Sequence, residues 1–150
     1  MSLTYPFKSV VAWDKDGTLA YVQHRAWIIP EVKAGRMTWG QYSRACVADE
    51  PNYVARFLMQ ELGKTHAQVV MSAATDCPEA RQWLKRYEFP CNAVYFRPEG
   101  DETTGSAELK VRWIREYQSL GCEVVLFVED VPEIAEEIRE RTGIRVLGWR

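Results

Sequence analysis

The chain is poor in the residues that usually betray a metal centre or a nucleophile pair. Its four cysteines, Cys46, Cys77, Cys91 and Cys122, lie far apart with no CxxC pair, which speaks against zinc and for reduced, mostly buried thiols. Its two histidines, His24 and His66, have no cysteine or serine placed to make a catalytic pair with them. No apolar run approaches membrane-spanning length. The segment Met1-Ser2-Leu3-Thr4-Tyr5-Pro6 lacks the charged and apolar regions of a signal peptide. A soluble, cytoplasmic protein with no membrane partner is expected. There is no GxxxxGKS or GxxxxGKT segment to cradle nucleotide phosphates, so a P-loop kinase half is excluded. Positive charge is not in excess either: the formal net charge is -2, so any contact with nucleic acid must come from a local basic patch. Internal repeats and low-complexity tracts are absent.

What is present suits one compact domain, since 150 residues of which 47% are hydrophobic can bury an adequate core. Short apolar runs at 8–13, 67–72, 93–96, 123–128 and 144–148 read as strands. Helical patterns lie between most of them. Pro51 and Gly63 bracket a helix over roughly 51–62, and Pro78, Ser106 and Pro132 stand where helix starts are expected. The alternation predicts an α/β fold: a three-layer parallel sheet with helices on both faces. Residues of about 20–66 are too many for a simple crossover and read as a small helical insertion after the first strand, with one short helix near 39–47.

The sharpest feature is Asp14-Lys15-Asp16-Gly17-Thr18, directly after the apolar run Val10-Val11-Ala12-Trp13. Two carboxylates two positions apart at a strand end can lean to the same side, and Gly17 permits a sharp exit. One such carboxylate can attack phosphorus and hold a metal while the other protonates the leaving oxygen. An Asp-x-Asp-Gly turn also occurs in calcium loops, but Thr18 stands at the third ligand position and a strand precedes the turn. In a doubly wound sheet ligands bind beyond the strand C-termini, where Asp14, Ser72 and Glu129-Asp130 all fall in this reading.

The order Asp14-Lys15-Asp16-Gly17-Thr18, Ser72, Lys110, then Glu129-Asp130 resembles the four motifs of the haloacid dehalogenase-like (HAD) phosphohydrolase superfamily, across the whole domain, 1–150. A narrower likeness is to the 3′-phosphatase domain of phage-type polynucleotide kinases and its stand-alone relatives. It rests on Gly17-Thr18-Leu19-Ala20, an early Arg25, the segment Tyr95-Phe96-Arg97-Pro98-Glu99-Gly100-Asp101, and Glu108-Leu109-Lys110.

The resemblance implies a Rossmannoid fold and a magnesium-dependent phosphatase working through an aspartyl-phosphate. Asp14 is then the nucleophile and Asp16 the acid and base, its backbone carbonyl also meeting Mg2+. Ser72 binds the transferring phosphate, Lys110 neutralises phosphate and Asp14, and Asp130 holds the metal with Glu129 beside it. Arg25 and Arg97 are the expected substrate-binding cations, and Asp101 is expected to orient Lys110. The implied substrate is a 3′-phosphorylated nucleic-acid end, with a separately encoded kinase or ligase as a candidate partner. A nucleotide or other small-molecule phosphatase is the alternative, and a non-catalytic accessory protein the second.

The main departure follows Ser72. Relatives of the narrower group carry Ser-Gly-Arg or Thr-Gly-Arg, whereas this chain reads Ser72-Ala73-Ala74-Thr75. Alanine cannot replace an arginine fork on phosphate. Either Arg25, Lys15, Arg81 or Arg97 reaches the site instead, or the substrate or rate differs. Trp27, Trp39, Tyr42 and Tyr53, at helical spacing, are expected to close the core of the insertion, with base stacking the other use of such rings.

Overall fold

The computed structural model describes residues 8–149; Met1–Pro6, read above for a leader, lies outside them. Strand β1, Ser9–Trp13, is the centre of the molecule, with Val10, Val11, Ala12 and Trp13 at most 1% exposed. Strand side chains alternate between faces. Val10 and Ala12 therefore pack toward α5 (Ser106–Ser119) and α6 (Pro132–Thr142) through Val111, Ile114, Ala135 and Ile138. Val11 and Trp13 pack toward α3 (Tyr53–Leu62) and α4 (Pro78–Arg86) through Ala55, Met59, Ala80 and Trp83. Two apolar clusters on opposite faces make the three layers.

Five strands form one parallel sheet in the order β5-β4-β1-β6-β7, with β4 Ala67–Thr75, β5 Ala93–Arg97, β6 Glu123–Glu129 and β7 Val146–Gly148. The chain leaves β1 to build β4 and β5 on one side and returns to build β6 and β7 on the other. The C-terminal end of β1 is thus the switch point where such sheets bind ligands. Inside the core, Trp13 donates its indole N–H to Oε1 of Gln68 at 2.8 Å, so the only polar atom of the largest β1 side chain is satisfied.

All five predicted strands form, but β4 runs on to Thr75, so Ser72 lies within it rather than at its end. The cause is an irregularity: Met71 pairs with Tyr95 and Thr75 with Arg97, so β4 takes four steps where β5 takes two. Pairing with β1 stops at Val70, so Ser72 still lies past the last residue joined to Trp13.

Of residues 20–66, α3 packs on the sheet, and its N-cap is Asn52 rather than Pro51. The Asn52 side chain accepts from the Val54 and Ala55 N–H groups. The preceding stretch holds a two-strand antiparallel pair, β2 Ala20–Tyr21 with β3 Glu50–Pro51, and the short helices α1 Ile28–Lys33 and α2 Trp39–Arg44. Thr38 and Gln41 form a capping box on α2. Asn52 closes the neck, its backbone N–H donating to Leu19 O at 2.7 Å and its amide to Thr18 O at 3.0 Å.

The expected aromatic core of the insertion does not form: Trp27, Trp39 and Tyr53 are 63%, 39% and 56% exposed. The interior there is taken by polar groups, chiefly Arg25 and Asp49, which are each 1% exposed. All four cysteines are free, as expected, with Cys46 and Cys77 buried. Among the described residues no helix is long and apolar enough to cross a membrane.

Candidate active site

The chain leaves β1 through one tight turn. Lys15 O accepts from the N–H groups of Thr18, Leu19 and Ala20, and Gly17 takes φ +84°, a conformation natural to glycine. The turn folds Thr18 back so that its hydroxyl donates to Oδ2 of Asp14 at 3.3 Å. The other oxygen, Oδ1, accepts from Lys110 Nζ at 2.8 Å. Asp14 is 5% exposed. Burial pushes its carboxyl well above the ordinary range, which Lys110 opposes and which Glu129 and Asp130 reinforce.

Lys110 comes from the second turn of α5 and is 2% exposed. It bridges Asp14 and Oε2 of Glu129, and these carboxylates hold it charged by raising its pKa against the cost of burial. Glu129 spends its other oxygen on the Val131 N–H at 3.2 Å. It therefore fixes Lys110 and the entry to α6 at once, and Glu129, not Asp101, orients the lysine. Asp101 instead accepts from the Thr103 and Thr104 N–H groups and shapes its own loop.

A cavity of about 670 Å³ opens over Asp14 and is lined by Asp16, Ser72, Lys110, Glu129 and Asp130. Its far wall is Val22, Ile29, Trp39 and Tyr42 of the inserted segment, and its rim is Arg97 with residues 101–106. Ser72 is 1% exposed, and its hydroxyl accepts from the Ala74 N–H at 3.2 Å. Arg97 donates through Nε to Ala73 O at 2.9 Å and through Nη1 to Thr104 O. The guanidinium of β5 is thereby held beside Ala74, where the expected arginine is missing. Arg81 is turned away and pairs with Asp76 at 2.8 Å on the surface.

Arg25, expected as a substrate-binding cation, is not among the residues that line the cavity. It is buried, and its guanidinium is drawn inward by Asp49, which it meets at 2.9 and 2.6 Å, while Nη2 also meets Oδ1 of Asp16 at 2.9 Å. Lys15 is likewise buried, 3.2 Å from the same oxygen and 4.6 Å from the centre of the Trp83 ring. Burial works upward on the Asp16 carboxyl, but Lys15 and Arg25 outweigh it and hold the group below its ordinary range. Asp49 was invisible in the sequence, being a lone acid between Ala48 and Glu50 with no motif around it.

No family model matches the sequence, and no curated protein matches it. Solved structures do. The Pnkp1/Rnl/Hen1 complex aligns with TM-score 0.75 and 14% identity over 95% of this chain and 45% of that one. The structure of the Pnkp1/Rnl/Hen1 RNA repair complex aligns equally well over 94% and 42%. The chain thus spans less than half the length of either. A haloacid dehalogenase-like family protein from Streptococcus pneumoniae aligns with TM-score 0.64 and 15% identity over 95% of this chain and 84% of that one. The chain has a HAD-like fold.

Within this HAD-like fold the carboxylates suit a hard cation. Asp14, Glu129 and Asp130 each offer an oxygen, all within 4.8 Å of one another. Oδ1 of Asp130 is buried with no hydrogen-bond partner among the described residues, an arrangement that is costly unless something else meets the atom. All-oxygen donors with room for substrate oxygens fit Mg2+ better than a softer metal. Both oxygens of Glu129, like both of Asp14, already accept hydrogen bonds, so Asp130 is the least committed donor of the three.

Proposed function

We propose that this protein is a magnesium-dependent phosphomonoesterase that removes a 3′-phosphate from a nucleic-acid end by way of a phosphorylated Asp14. The observation that carries the reading is the meeting of Asp14, Lys110 and the unsatisfied Asp130 oxygen at the switch point of the sheet. Two carboxylates facing one lysine with an orphaned third is a poor design for stability alone. It is a good one for a dianionic ester.

Lys110 and Thr18 orient the Asp14 carboxylate and leave it buried beside the cavity floor. An oxygen of Asp14 attacks phosphorus, the bond from phosphorus to the ester oxygen breaks, and that oxygen takes a proton from Asp16. Lys15 and Arg25 hold Asp16 ionised in the free protein, and it takes that proton from solvent as the dianionic ester binds beside it. Asp16 then accepts a proton from the water that attacks the acyl phosphate, releasing phosphate and restoring Asp14. Ser72 and Arg97 hold the phosphate oxygens, Arg97 through Nη2, since Nε and Nη1 are engaged with Ala73 O and Thr104 O. Bound Mg2+, held by Asp14, Asp130 and the Asp16 carbonyl with Glu129 alongside, would offset charge on the phosphate.

The likeness to the RNA repair complex supports a nucleic-acid end as substrate and a partner in end repair, such as a kinase or ligase. The aromatic wall of Trp39 and Tyr42 supports a terminal nucleoside beside the phosphate. That same wall favours a second reading, a phosphatase for free nucleotides. Phosphate release with Mg2+ from 3′-phosphorylated and 5′-phosphorylated oligonucleotides, nucleoside monophosphates and an aryl phosphate separates them. Preference for the 3′-phosphorylated oligonucleotide supports the first reading and preference for monomers the second. No release by folded protein leaves a non-catalytic accessory role.

A further inference from the structure

Arg25 and Asp49 form a buried chain that ends on Asp16. Arg25 is 1% exposed and stands between two carboxylates, with Nε and Nη2 on Asp49 and Nη2 also on Oδ1 of Asp16. Nη1 donates to Tyr42 O at 3.0 Å, and the guanidinium lies 4.4 Å from the centre of the Tyr42 ring. The fork is held on its edges and on a face. Asp49 is held in turn by His24 Nε2, and Lys15 Nζ lies 4.0 Å from its Oδ2. A buried ion pair of this kind is seldom a net gain in stability, so its place behind Asp16, which lines the cavity, calls for another explanation.

The bonds from Arg25 and Lys15 both fall on the same Asp16 oxygen, Oδ1. Asp16 also lines the cavity. A carboxylate gripped from behind by one oxygen has a single way to present the other. We infer that Arg25 and Asp49 are positioning residues for proton transfer by Asp16: Asp49 fixes the guanidinium fork, and the fork fixes Oδ1 so that Oδ2 faces the ester oxygen. The inference rests on the phosphatase reading. In the step it concerns, the bond from Asp14 oxygen to phosphorus forms, the ester bond breaks with its electron pair on the leaving oxygen, and a proton that Asp16 has taken from solvent as the dianionic ester binds moves to that oxygen.

Leaving groups separate positioning from packing. An alkoxide departs only as it is protonated, whereas dinitrophenolate leaves without a proton. The experiment measures kcat/KM with Mg2+ for a ribonucleoside 3′-phosphate and for 2,4-dinitrophenyl phosphate, in wild type, Arg25→Lys and Asp49→Asn. This parameter covers the steps up to departure of the leaving group, and the ratio of the two values cancels the amount of folded enzyme. Arg25→Lys keeps the buried charge and loses the fork, and it serves alone if Asp49→Asn does not fold. The nucleoside ester is expected to lose roughly tenfold to a hundredfold more than the aryl ester, within the range of general acid catalysis. Equal losses on both esters would make the pair structural and overturn the inference while leaving the phosphatase reading intact. A wild type inert toward both esters overturns the two together.

Discussion

A Cβ placed on Gly17 would collide with Oδ2 of Asp130, so the turn after β1 and the acid after β6 close on each other only because residue 17 has no side chain. The φ of +84° adds a second reason. Gly17→Ala is expected to cost about 1–3 kcal/mol in stability from strain. By pushing the Asp130 carboxylate aside it should also weaken Mg2+ binding about tenfold to a hundredfold. Chemical denaturation reads the first effect and calorimetric titration with Mg2+ the second.

Lys110 separates two buried carboxylates. Lys110→Met leaves Asp14 and Glu129 facing each other without a cation, and the loss of a buried partner of this kind costs about 3–5 kcal/mol. Phosphate turnover is expected to fall by about 10²–10³ where the folded variant can be assayed, the scale of removing one group that stabilises transition-state charge. Urea unfolding and kcat under saturating Mg2+ check the two parts separately.

Arg97 is proposed to stand in for the arginine missing at Ala74. Arg97→Ala is expected to raise KM for phosphate esters about tenfold to a hundredfold, the cost of losing a hydrogen bond to a charged group. Adding Ala74→Arg to that variant should recover part of the loss, because both positions open on the same rim. A double variant no better than Arg97→Ala would place the phosphate elsewhere.

Trp39 offers a ring at the cavity wall with its edge packed on Tyr42 at 5.8 Å between centroids. Trp39→Ala is expected to weaken binding of nucleoside phosphates by about 1–3 kcal/mol, the worth of one stacked base. Glycerol phosphate has nothing to stack, so its KM should not change. Steady-state kinetics with both esters decide the point.

Much of this was legible because it is local. The β1 run and Asp14-Lys15-Asp16-Gly17-Thr18 are contiguous, and one turn geometry fixes both carboxylates. Lys110 lies in a helix whose start carries Ser106 as a signal, and Asp130 directly follows β6, two residues before the helix that Pro132 opens. Asp49 and the true place of Arg25 were not legible, since the pair joins residues 24 apart through an irregular segment with no periodicity to read. The inward use of those charges is also why Trp27 and Trp39 stay exposed: polar groups hold the interior that the aromatic spacing had suggested for rings. Ser72 moved inside β4 because the pairing slips between Met71 and Thr75, which composition does not encode.

The central claim is that Asp14 is the nucleophile of a phosphatase. Phosphate release from a 3′-phosphorylated oligonucleotide, with Mg2+, by wild type and by folded Asp14→Asn tests it most directly. The account predicts steady release by wild type and a fall of at least about 10³ in the variant, since removal of a covalent nucleophile abolishes the path rather than slowing it. Equal release by the two proteins, or none by wild type, would contradict it.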